Sequence, residues 1–551
     1  MEAPPWYNSN NHKTIGTKKG GPSMYKNYNT PDCSLVLNLD FDIPLTHDAR
    51  FISLFVDSIP AEEFTHAPAL TGRPAHHPRM LLKMLLFAYS RATFSGHKIV
   101  QMNEELIPMK WLTHDEYICY RSINSFRVQP ETSLLVQKTF IYFTFLLSEH
   151  GYLKDEALFV DGTKVEADAN KYSFVWRKAV EKYEAKLDAD IKALYDELIE
   201  RKVALAMAED ELKTSQALNL MIQAAEARIG TLDEVIEAEA KAIKGGSANK
   251  RERRTIKKHL RKLVTNFLPR KQRYEQANAT FQGRNSYSKT DTSATFMCMK
   301  EDPMKNRELK PGYNLQIATN DQYVIGFEIF PNPGDSRTLR PFLESLPTLS
   351  LFKSIVADAG YGSEENYAYL MNELEKEALI PHGMYRKEQT KAYKNDPTKR
   401  HNWAYDEVLD CYVDHDGVQF SFSHHSQRTD KSGFTRDFKV YKADKTQASP
   451  ELDTLVLTPS GHQRTISINA VWDFYKNQAK EALESDSGKR KYAQRKIDVE
   501  TVFGRMKRNF GVRRVHVRGE VGVRNDLGLL LMSMNLTKLS GILRKGITQI
   551  G

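Results

Sequence analysis

Apolar side chains recur at helical spacing in the first third of the chain. The stretch HPRMLLKMLLFAYSRATFSGHKIVQMNEEL has apolar residues every three or four positions, which predicts amphipathic helices with a break at Ser95–Gly96. A second such stretch, ETSLLVQKTFIYFTFLLSEHGYL, leads directly into the first predicted strand. We therefore predict an all-helical module over residues 48–150. Residues 1–47 are expected to form a flexible arm, because most of them lie in a segment rich in Asn, Lys, Gly and Pro.

Short apolar runs replace the helical pattern in two later parts of the chain. Strands are predicted at ALFVDG, YNLQIATN, YVIGFEIF, SIVADAG and ALIPHG, with helices at SRTLRPFLESLPTL and SEENYAYLMNELEKE. Asp321–Gln322 predicts a tight hairpin, and Asp335 or Ser336 can cap the helix that follows it. This order is that expected of the ribonuclease H-like fold, an α/β core in which helices flank a mixed sheet. The core is assigned to residues 151–173, 284–390 and 467–545.

Two segments interrupt that order. The stretch from Trp176 to Gln216 is rich in Ala, Glu, Lys and Leu and has no proline, which predicts a long helix or coiled-coil arm. Gly245–Gly246 predicts a turn, so we expect an antiparallel helical hairpin over residues 174–283. The basic run NKRERRTIKKHLRKL after this turn is either a solvated helix face or a surface that contacts phosphates. Residues 391–466 form a second, His- and Asp-rich insertion whose role the sequence does not disclose.

Composition narrows the class of protein. At 551 residues the chain exceeds what one core supports, so two or more domains are expected. The net charge of +9 favours a polyanionic partner. The four cysteines are far apart and form no CxxC pair, which argues against a disulfide framework or a zinc ribbon and suits a reducing cytosol. With no secretory signal and no apolar run long enough to span a bilayer, we expect a cytoplasmic protein without a membrane partner.

Two predicted strands each stop at a carboxylate. Asp161 ends the apolar run of ALFVDGTKVEADAN, and Asp358 ends that of SIVADAGYGSEEN. One such aspartate alone is more often a turn former than a ligand. In a mixed sheet, however, the ends of neighbouring strands gather at one edge, so the two carboxylates are expected to lie close together. Adjacent carboxylates repel unless a cation lies between them, and hard oxygen ligands select Mg²⁺ or Mn²⁺.

A third acid lies in the basic segment KRKYAQRKIDVETVFGRMKRNFGVRRVHVRG. Glu500 is one of only two acids in it, and helical spacing places it on one side with Phe503, Gly504 and Lys507. Spacing alone leaves two interpretations open: an ion-pair partner, or a metal ligand whose basic neighbours bind a phosphate backbone. A third carboxylate would complete a site for two metal ions about 3.5–4 Å apart.

Together these segments resemble the DDE transposases of bacterial insertion sequences, in the branch with a Tyr-Arg-Glu-Lys signature around the last acid. FVDGTKVEADANKY is similar to the segment that carries the first Asp of this family, SIVADAGYGSEENY to the second, and RKIDVETVFGRMKRNFGVRR to the helix of the Glu. GRPAHHPRMLLKMLLFAYSRATFSGHKIVQMNEEL resembles the helical domain that precedes the catalytic core. SKTDTSATFM and KPGYNLQIATN resemble the stretch before the second strand.

The resemblance implies roles for individual residues. Asp161, Asp358 and Glu500 would be the catalytic and metal-binding triad. The expected DNA-binding residues are Tyr492, Arg495, Lys496, Lys507, Arg508, Arg513 and Arg514. Four residues separate Arg495 from Glu500 where the family has three, and Lys496 has the family spacing, so either basic residue can take the Arg role. Asp291 lies in a family-like motif and is expected to be a structural turn residue. Glu166 and Asp168 are expected to be surface acids, with a backup ligand as the alternative for either.

The function implied by the resemblance is DNA transposition. The protein would bind the terminal inverted repeats of its element, hydrolyse phosphodiester bonds at the ends, and transfer the 3′-hydroxyl ends to target DNA with two Mg²⁺ or Mn²⁺ ions. The helical module would bind DNA, the protein would act as a homodimer on DNA in the bacterial cytosol, and the helical insertion would serve dimerisation or enclose DNA. Two alternatives stay open: a nuclease on the same core that does not join strands, and a DNA-binding repressor whose chemistry has lapsed.

Overall fold

The structure is a computed structural model that describes residues 43–64, 75–154, 156–203, 206–239, 247–299, 307–445 and 450–550. The predicted arm over residues 1–47 lies outside this set up to position 42. The chain from Thr46 onward forms one unit. Among the described residues, no helix is both long enough and apolar enough to span a bilayer.

The region before the first strand is helical. In its described part the α-helices are α1 (Asp48–Ser58), α2 (Pro78–Ser90), α3 (Gly96–Glu105), α4 (Ile107–Thr113), α5 (Tyr120–Val128) and α6 (Pro130–Glu149). The proline at the start of α2 suits a first turn that needs no amide hydrogen, and the side chain of His77 accepts a hydrogen bond from the Arg79 amide there. The break predicted at Ser95–Gly96 is confirmed, since Ser95 is the residue before α3.

The chain then enters strand β1 (Ala157–Glu166) and leaves it for the helical insertion. This insertion is framed by an antiparallel pair, β2 (Phe174–Trp176) and β3 (Ser286–Ser288). Its helices are α7 (Arg177–Glu200), α8 (Ser215–Glu239), α9 (Ala248–Lys262) and α10 (Leu268–Phe281), with a π-helical turn at Leu263–Phe267. They enclose an apolar core of their own, with Leu187, Leu198, Met221 and Ile256 in it. The glycines predicted to form the turn, Gly245–Gly246, lie outside the described residues.

The long helix predicted from Trp176 to Gln216 is divided in two. Helix α7 ends at Glu200, and Lys202 follows in a left-handed conformation with a φ of 54°. Val203 and Leu212 then turn back into the core of the insertion, and the Tyr195 hydroxyl accepts a hydrogen bond of 2.7 Å from the Met207 amide. Helical periodicity did not reveal this break because both sides of it have helix-forming composition.

The central sheet is mixed, and it contains the five predicted core strands and one strand, β4, that was not predicted. Its remaining strands are β4 (Thr295–Cys298), β5 (Leu309–Asn320), β6 (Tyr323–Phe330), β7 (Ser354–Val356) and β8 (Glu377–Leu379). The order is β4–β5–β1–β7–β8, with β6 also paired to β5. Strand β1 is antiparallel to β5 and parallel to β7. This is the ribonuclease H-like arrangement. The predicted hairpin is confirmed: Asp321 and Gln322 both have positive φ, as a two-residue turn of this type requires.

Helices and a second sheet complete the chain. Two short helices, α11 (Leu339–Glu344) and α12 (Glu364–Ala368), flank the core strands. Helix α13 (Tyr385–Glu388) ends this part of the core. The second insertion follows with α14 (Lys391–Lys394), β9 (Ala404–Asp406), β10 (Cys411–Val413), β11 (Gln419–Thr429), β12 (Thr435–Ala443) and α15 (Pro450–Asp453), and β13 (Thr465–Ile468) lies at its end. Its strands form an antiparallel sheet. Next come α16 (Ala470–Glu484), α17 (Asp486–Arg495), a π-helical turn (Lys496–Glu500), α18 (Thr501–Gly504), a second π-helical turn (Arg505–Asn509) and α19 (Glu520–Ile550).

A buried polar group joins the helical module to α19. Arg127 of α5 is 4% exposed, and its Nη1 lies 3.7 Å from Oδ1 of Asp526. The same nitrogen donates to the Tyr89 hydroxyl of α2 at 3.0 Å, and this hydroxyl donates to Asp526. Helices α2, α5 and α6 pack against α19, so the module and the sheet share one hydrophobic core. A charge buried without a partner is costly, and each of these groups has one.

Candidate active site

Asp161 lies in the middle of β1. The prediction that the first core strand stops at Asp161 is wrong, since β1 continues to Glu166. The reason is that β5 pairs with β1 up to the last residue of β1, from Phe159 opposite Thr319 to Glu166 opposite Gly312. The side chain of Asp161 is 10% exposed, and its Oδ1 accepts a hydrogen bond of 2.7 Å from the Gly162 amide.

Asp161 and Asp358 each lie two residues beyond the last residues that pair β1 with β7. The parallel register of β1 and β7 sets Phe159 opposite Val356, the last residue of β7. Neighbouring parallel strands lie about 4.8 Å apart. Asp358 follows the end of β7 directly, and its Oδ1 accepts a hydrogen bond of 2.8 Å from the Gly360 amide. The structure therefore brings these two predicted residues to one edge of the sheet.

A third carboxylate, that of Asp335, lies between their backbones. A Cβ added at Gly162 would be 3.0 Å from Oδ1 of Asp335 and 2.2 Å from Nε2 of Gln316. One added at Gly360 would be 2.9 Å from Oδ1 of Asp358 and 4.0 Å from Oδ2 of Asp335. Only glycine leaves room for carboxylates this close to the chain. We call the carboxylates of Asp161, Asp335 and Asp358 the acidic edge.

Buried amides hold Asp335 in place. Its Oδ1 accepts hydrogen bonds from Nδ2 of Asn314 at 2.8 Å and from Nε2 of Gln316 at 3.0 Å, and both amide side chains are buried. The Tyr361 hydroxyl donates to Oε1 of Gln316. The prediction that Asp335 or Ser336 caps the following helix is wrong: α11 begins after Thr338, and no side chain caps it. Sequence reasoning missed Asp335 as a site residue, although amides at alternate positions of the buried strand YNLQIATN were a signal for it.

The acidic edge concentrates negative charge. Burial raises the pKa of the Tyr361 hydroxyl well above its usual value, and the charges of Asp335, Asp161 and Asp358 raise it further. The charges of all three carboxylates therefore act on one buried hydroxyl. The guanidinium of Arg495, at the end of α17, forms an ion pair with Asp161 at this edge.

Arg495 connects the third predicted segment to this edge. Its Nη1 lies 3.3 Å from Oδ2 of Asp161, and its side chain is 11% exposed. The ring of Tyr492 lies 5.8 Å from the guanidinium carbon of Arg495. The π-helical turn Lys496–Glu500 packs against β1 and β5. Lys496 is exposed to solvent at the start of this turn.

The position of Glu500 differs from that of the two aspartates. Its side chain is exposed, whereas those of the neighbouring Val499 and Val502 are buried. Among the described residues, Asp161, Asp358 and Glu500 do not form a group whose ligand atoms all lie within 4.8 Å of one another. The structure thus brings Asp161 and Asp358 together, and it places the helical segment of Glu500 beside them through Arg495.

The other predicted residues divide between the surface and structural roles. Arg508 and Arg513 are exposed. Lys507 is half-buried. Arg514 forms an ion pair with Asp168, with 3.1 Å between Nη2 of Arg514 and Oδ1 of Asp168. Arg518 also pairs with Asp168.

Two further acids have structural partners. Asp291 is a structural residue, as predicted: it is buried, and it accepts hydrogen bonds from the Tyr313 hydroxyl at 2.7 Å and from the Ser293 amide at 3.2 Å. The Oε2 of Glu166 lies 3.3 Å from the Lys310 ammonium.

One group of potential metal ligands lies elsewhere, in the turn between β10 and β11. Asp414, His415 and Asp416 have ligand atoms within 4.8 Å of one another. The carboxylate of Asp414, however, accepts hydrogen bonds from two amides of its own turn, those of Asp416 and Val418, and pairs with Arg464 at 2.6 Å. This is the bonding of a turn-forming aspartate.

Two models of known protein families match parts of the chain. The model of the transposase DDE domain matches residues 284–536, and that of a transposase domain, DUF772, matches residues 37–129. The chain belongs to the DDE transposases of the insertion-sequence type. The match to the DDE domain contains Asp335, Asp358 and Glu500, and it begins after β1 and the helical insertion. No curated protein and no solved structure matches the chain.

Transposases of this family act on DNA and use divalent metal ions. The residues at the acidic edge have the donor chemistry that suits such an ion, and the ligand atoms of its three carboxylates do not all lie within 4.8 Å of one another. They offer carboxylate oxygens, the hard ligands that Mg²⁺ and Mn²⁺ prefer. At Gly162 and Gly360 the absence of a Cβ lets the carboxylates of Asp335 and Asp358 lie close to the backbone.

Proposed function

We propose that this transposase binds the terminal inverted repeats of its insertion sequence, hydrolyses phosphodiester bonds at the ends, and transfers the 3′-hydroxyl ends to target DNA. The observation that carries the proposal is that Asp161 and Asp358, each two residues past the last pair between β1 and β7, both act on the buried Tyr361 hydroxyl, with Arg495 connecting the segment of Glu500 to Asp161. Hydrolysis and strand transfer need the same arrangement, since water attacks in the first step and a 3′-hydroxyl in the second.

Asp161, Asp358 and Glu500 hold the divalent ions in this proposal. Two ions of Mg²⁺ or Mn²⁺, when bound, activate the attacking oxygen and stabilise the leaving oxygen of an in-line displacement. Asp161 and Asp358 supply ligands from a rigid sheet, which fixes the position of the reacting phosphate. Glu500 supplies a ligand from the helical side. Asp335 adds negative charge to the same edge and is held by amides that cannot compete for a cation.

Arg495, rather than Lys496, takes the Arg role of the signature. A π-helical turn contains one more residue than an α-helical turn, so residues five apart face the same side of it. The turn Lys496–Glu500 therefore absorbs the extra residue between Arg495 and Glu500. Arg495 also pairs with Asp161, whereas Lys496 is exposed.

DNA contacts come from several parts of the chain. The helical module over residues 48–150 recognises the ends, and the core assigned to residues 151–173, 284–390 and 467–545 carries out the chemistry. Around the acidic edge the backbone phosphates meet Tyr492, Arg495, Lys496, Lys507, Arg508 and Arg513. Arg514, whose side chain is exposed although it pairs with Asp168, contacts the backbone phosphates as well. Two protomers bind two ends together, because paired cleavage requires two active sites.

The test uses the full-length protein and labelled duplexes that carry the ends of its element. In Mg²⁺, the wild-type protein should nick these ends and join them to a target plasmid. Asp161→Asn and Asp358→Asn should each lower both activities by about 10²–10³-fold or more, the scale on which loss of one electrostatic group acts. Asp168→Asn is the matched control, since Asp168 pairs with Arg514 and Arg518 at the surface. If Asp161→Asn still cleaved at the wild-type rate, the assignment would be wrong.

A further inference from the structure

Helix α9 of the insertion presents a row of exposed cations to solvent. Its sequence has eight Lys and Arg residues and a single acid, Glu252. Six of these cations are exposed, and no acidic partner of any of them is recorded among the described residues: Arg251, Arg254, Lys257, Lys258, Arg261 and Lys262. We call these six residues the cationic face.

The opposite side of α9 is neutralised and buried. Glu252 pairs with Arg228 of α8 at 2.8 Å, and Arg253 pairs with Asp233. Ile256 is completely buried in the core of the insertion. At about 100° per residue, the six exposed cations fall within an arc of about 140°. The ion pairs and the apolar contacts thus fix which side of α9 faces solvent, and that side carries only positive charge.

A helix face that serves only solvation usually mixes both signs of charge. Helix α7 of the same insertion does so: Glu181, Lys182, Lys186 and Asp190 are all exposed. The cationic face has no such balance. Like charges three and four residues apart destabilise a helix, so the row is unfavourable in the free protein and favourable only beside a polyanion.

The length of the cationic face and its distance from the base of the insertion both match dimensions of duplex DNA. From Arg251 to Lys262 it spans about 16 Å at 1.5 Å per residue, which is about five nucleotide steps of one strand. Lys262 precedes Phe281, the last residue of α10, by 19 positions along one helical path. The face therefore begins about 28 Å from the base of the insertion, a distance comparable with one turn of B-DNA.

We propose that the cationic face binds the phosphate backbone of duplex DNA, away from the acidic edge and without regard to base sequence. This inference rests on the proposed function for the identity of the polyanion. Of the two interpretations that the basic run alone left open, it favours the phosphate-contacting surface, because the structure separates the paired cations of α9 from the exposed ones.

The experiment compares two triple variants of the full-length protein. Arg254→Gln/Lys258→Gln/Arg261→Gln removes three charges from the cationic face. Lys178→Gln/Lys182→Gln/Lys186→Gln removes three exposed lysines from the mixed-charge side of α7 and changes the net charge equally. Binding to several 40-bp duplexes of different sequence is measured in EDTA at several salt concentrations. Circular dichroism checks that both variants keep their helix content.

The α9 variant should bind every duplex more weakly, with a plot of log K against log salt concentration that is less steep by about 0.9 for each lost contact, or up to about 2.7. The α7 variant should keep the wild-type slope. Equal slopes for the two variants, or a loss confined to one sequence, would overturn the inference. Because EDTA prevents chemistry, this result is independent of the cleavage assay: a wild-type protein that binds through α9 but cleaves nothing would refute the proposed function alone.

Discussion

The guanidinium of Arg495 lies 3.3 Å from the carboxylate of Asp161. This ion pair joins two segments that are 334 positions apart in sequence and connects the helical segment of Glu500 to the central sheet. Both side chains are about nine-tenths buried, so the contact lies inside the protein rather than on its surface. It gives the helical segment of Glu500 a fixed position relative to Asp161 of β1.

Arg495→Gln tests the importance of this pair. Removing one partner of a buried ion pair leaves an uncompensated charge, which costs about 3–5 kcal/mol when burial is complete and less here. We expect a lower free energy of unfolding in EDTA, measured by urea titration, with part of the loss restored by Mg²⁺. Lys496→Gln is the control and should change stability by less than about 0.5 kcal/mol. Equal effects of the two substitutions would argue against the role of Arg495.

Asp335→Asn tests the residue that sequence reasoning missed. The substituted amide keeps an oxygen that can accept from Asn314 and Gln316, so the fold should be preserved while one negative charge is lost. We expect Mn²⁺ to bind about 10–100-fold more weakly, as when a partner of a metal ligand is removed. Calorimetric titration with Mn²⁺ provides the readout, and Ser336→Ala is the control, since Ser336 is exposed. If the Asp335→Asn protein bound Mn²⁺ with unchanged affinity, Asp335 would not contribute to metal binding.

Gly162→Ala tests the need for space at the acidic edge. The new Cβ would lie 2.2 Å from Nε2 of Gln316 and 3.0 Å from Oδ1 of Asp335, so one of these groups must move. We expect a loss of cleavage activity of at least about tenfold, because a displacement of 1 Å far from the chemistry can cost about 10²-fold. Gly334→Ala is a matched control, since nothing lies within 4 Å of a Cβ at that position. A fully active Gly162→Ala protein would show that the close approach is dispensable.

Arg127→Met tests the junction between the helical module and α19. It leaves Asp526 and the Tyr89 hydroxyl buried without their cation, and the free energy of unfolding should fall by about 3–5 kcal/mol. Arg121→Met on the same helix removes an exposed cation and should cost less than about 0.5 kcal/mol. Urea unfolding of the full-length protein measures both. If the two variants were equally stable, the module would not depend on this buried group.

Local sequence patterns predicted much of the fold. Helical periodicity predicted the N-terminal helices and the break before Gly96, and the dipeptide Asp321–Gln322 predicted the hairpin between β5 and β6. These features depend on neighbouring residues, so they can be read from a single sequence.

The features that the sequence did not reveal depend on distant partners. β1 extends past Asp161 because β5 pairs with it, and β5 begins about 150 positions later. Asp335 turns toward the buried amides of Asn314 and Gln316 instead of capping α11. The extra residue before Glu500 became interpretable only with the π-helical turn. In the first two cases a tertiary contact outweighed the local preference.

The most direct test of the central claim is a crystal structure of the DNA-bound transposase with Mn²⁺, located by its anomalous scattering. The account predicts Mn²⁺ between the carboxylates of Asp161 and Asp358, with an oxygen of Glu500 within about 2.5 Å of an ion. Mn²⁺ bound at Asp161 and Asp358 with Glu500 remote from every ion, or no Mn²⁺ at this edge of the sheet, would contradict it.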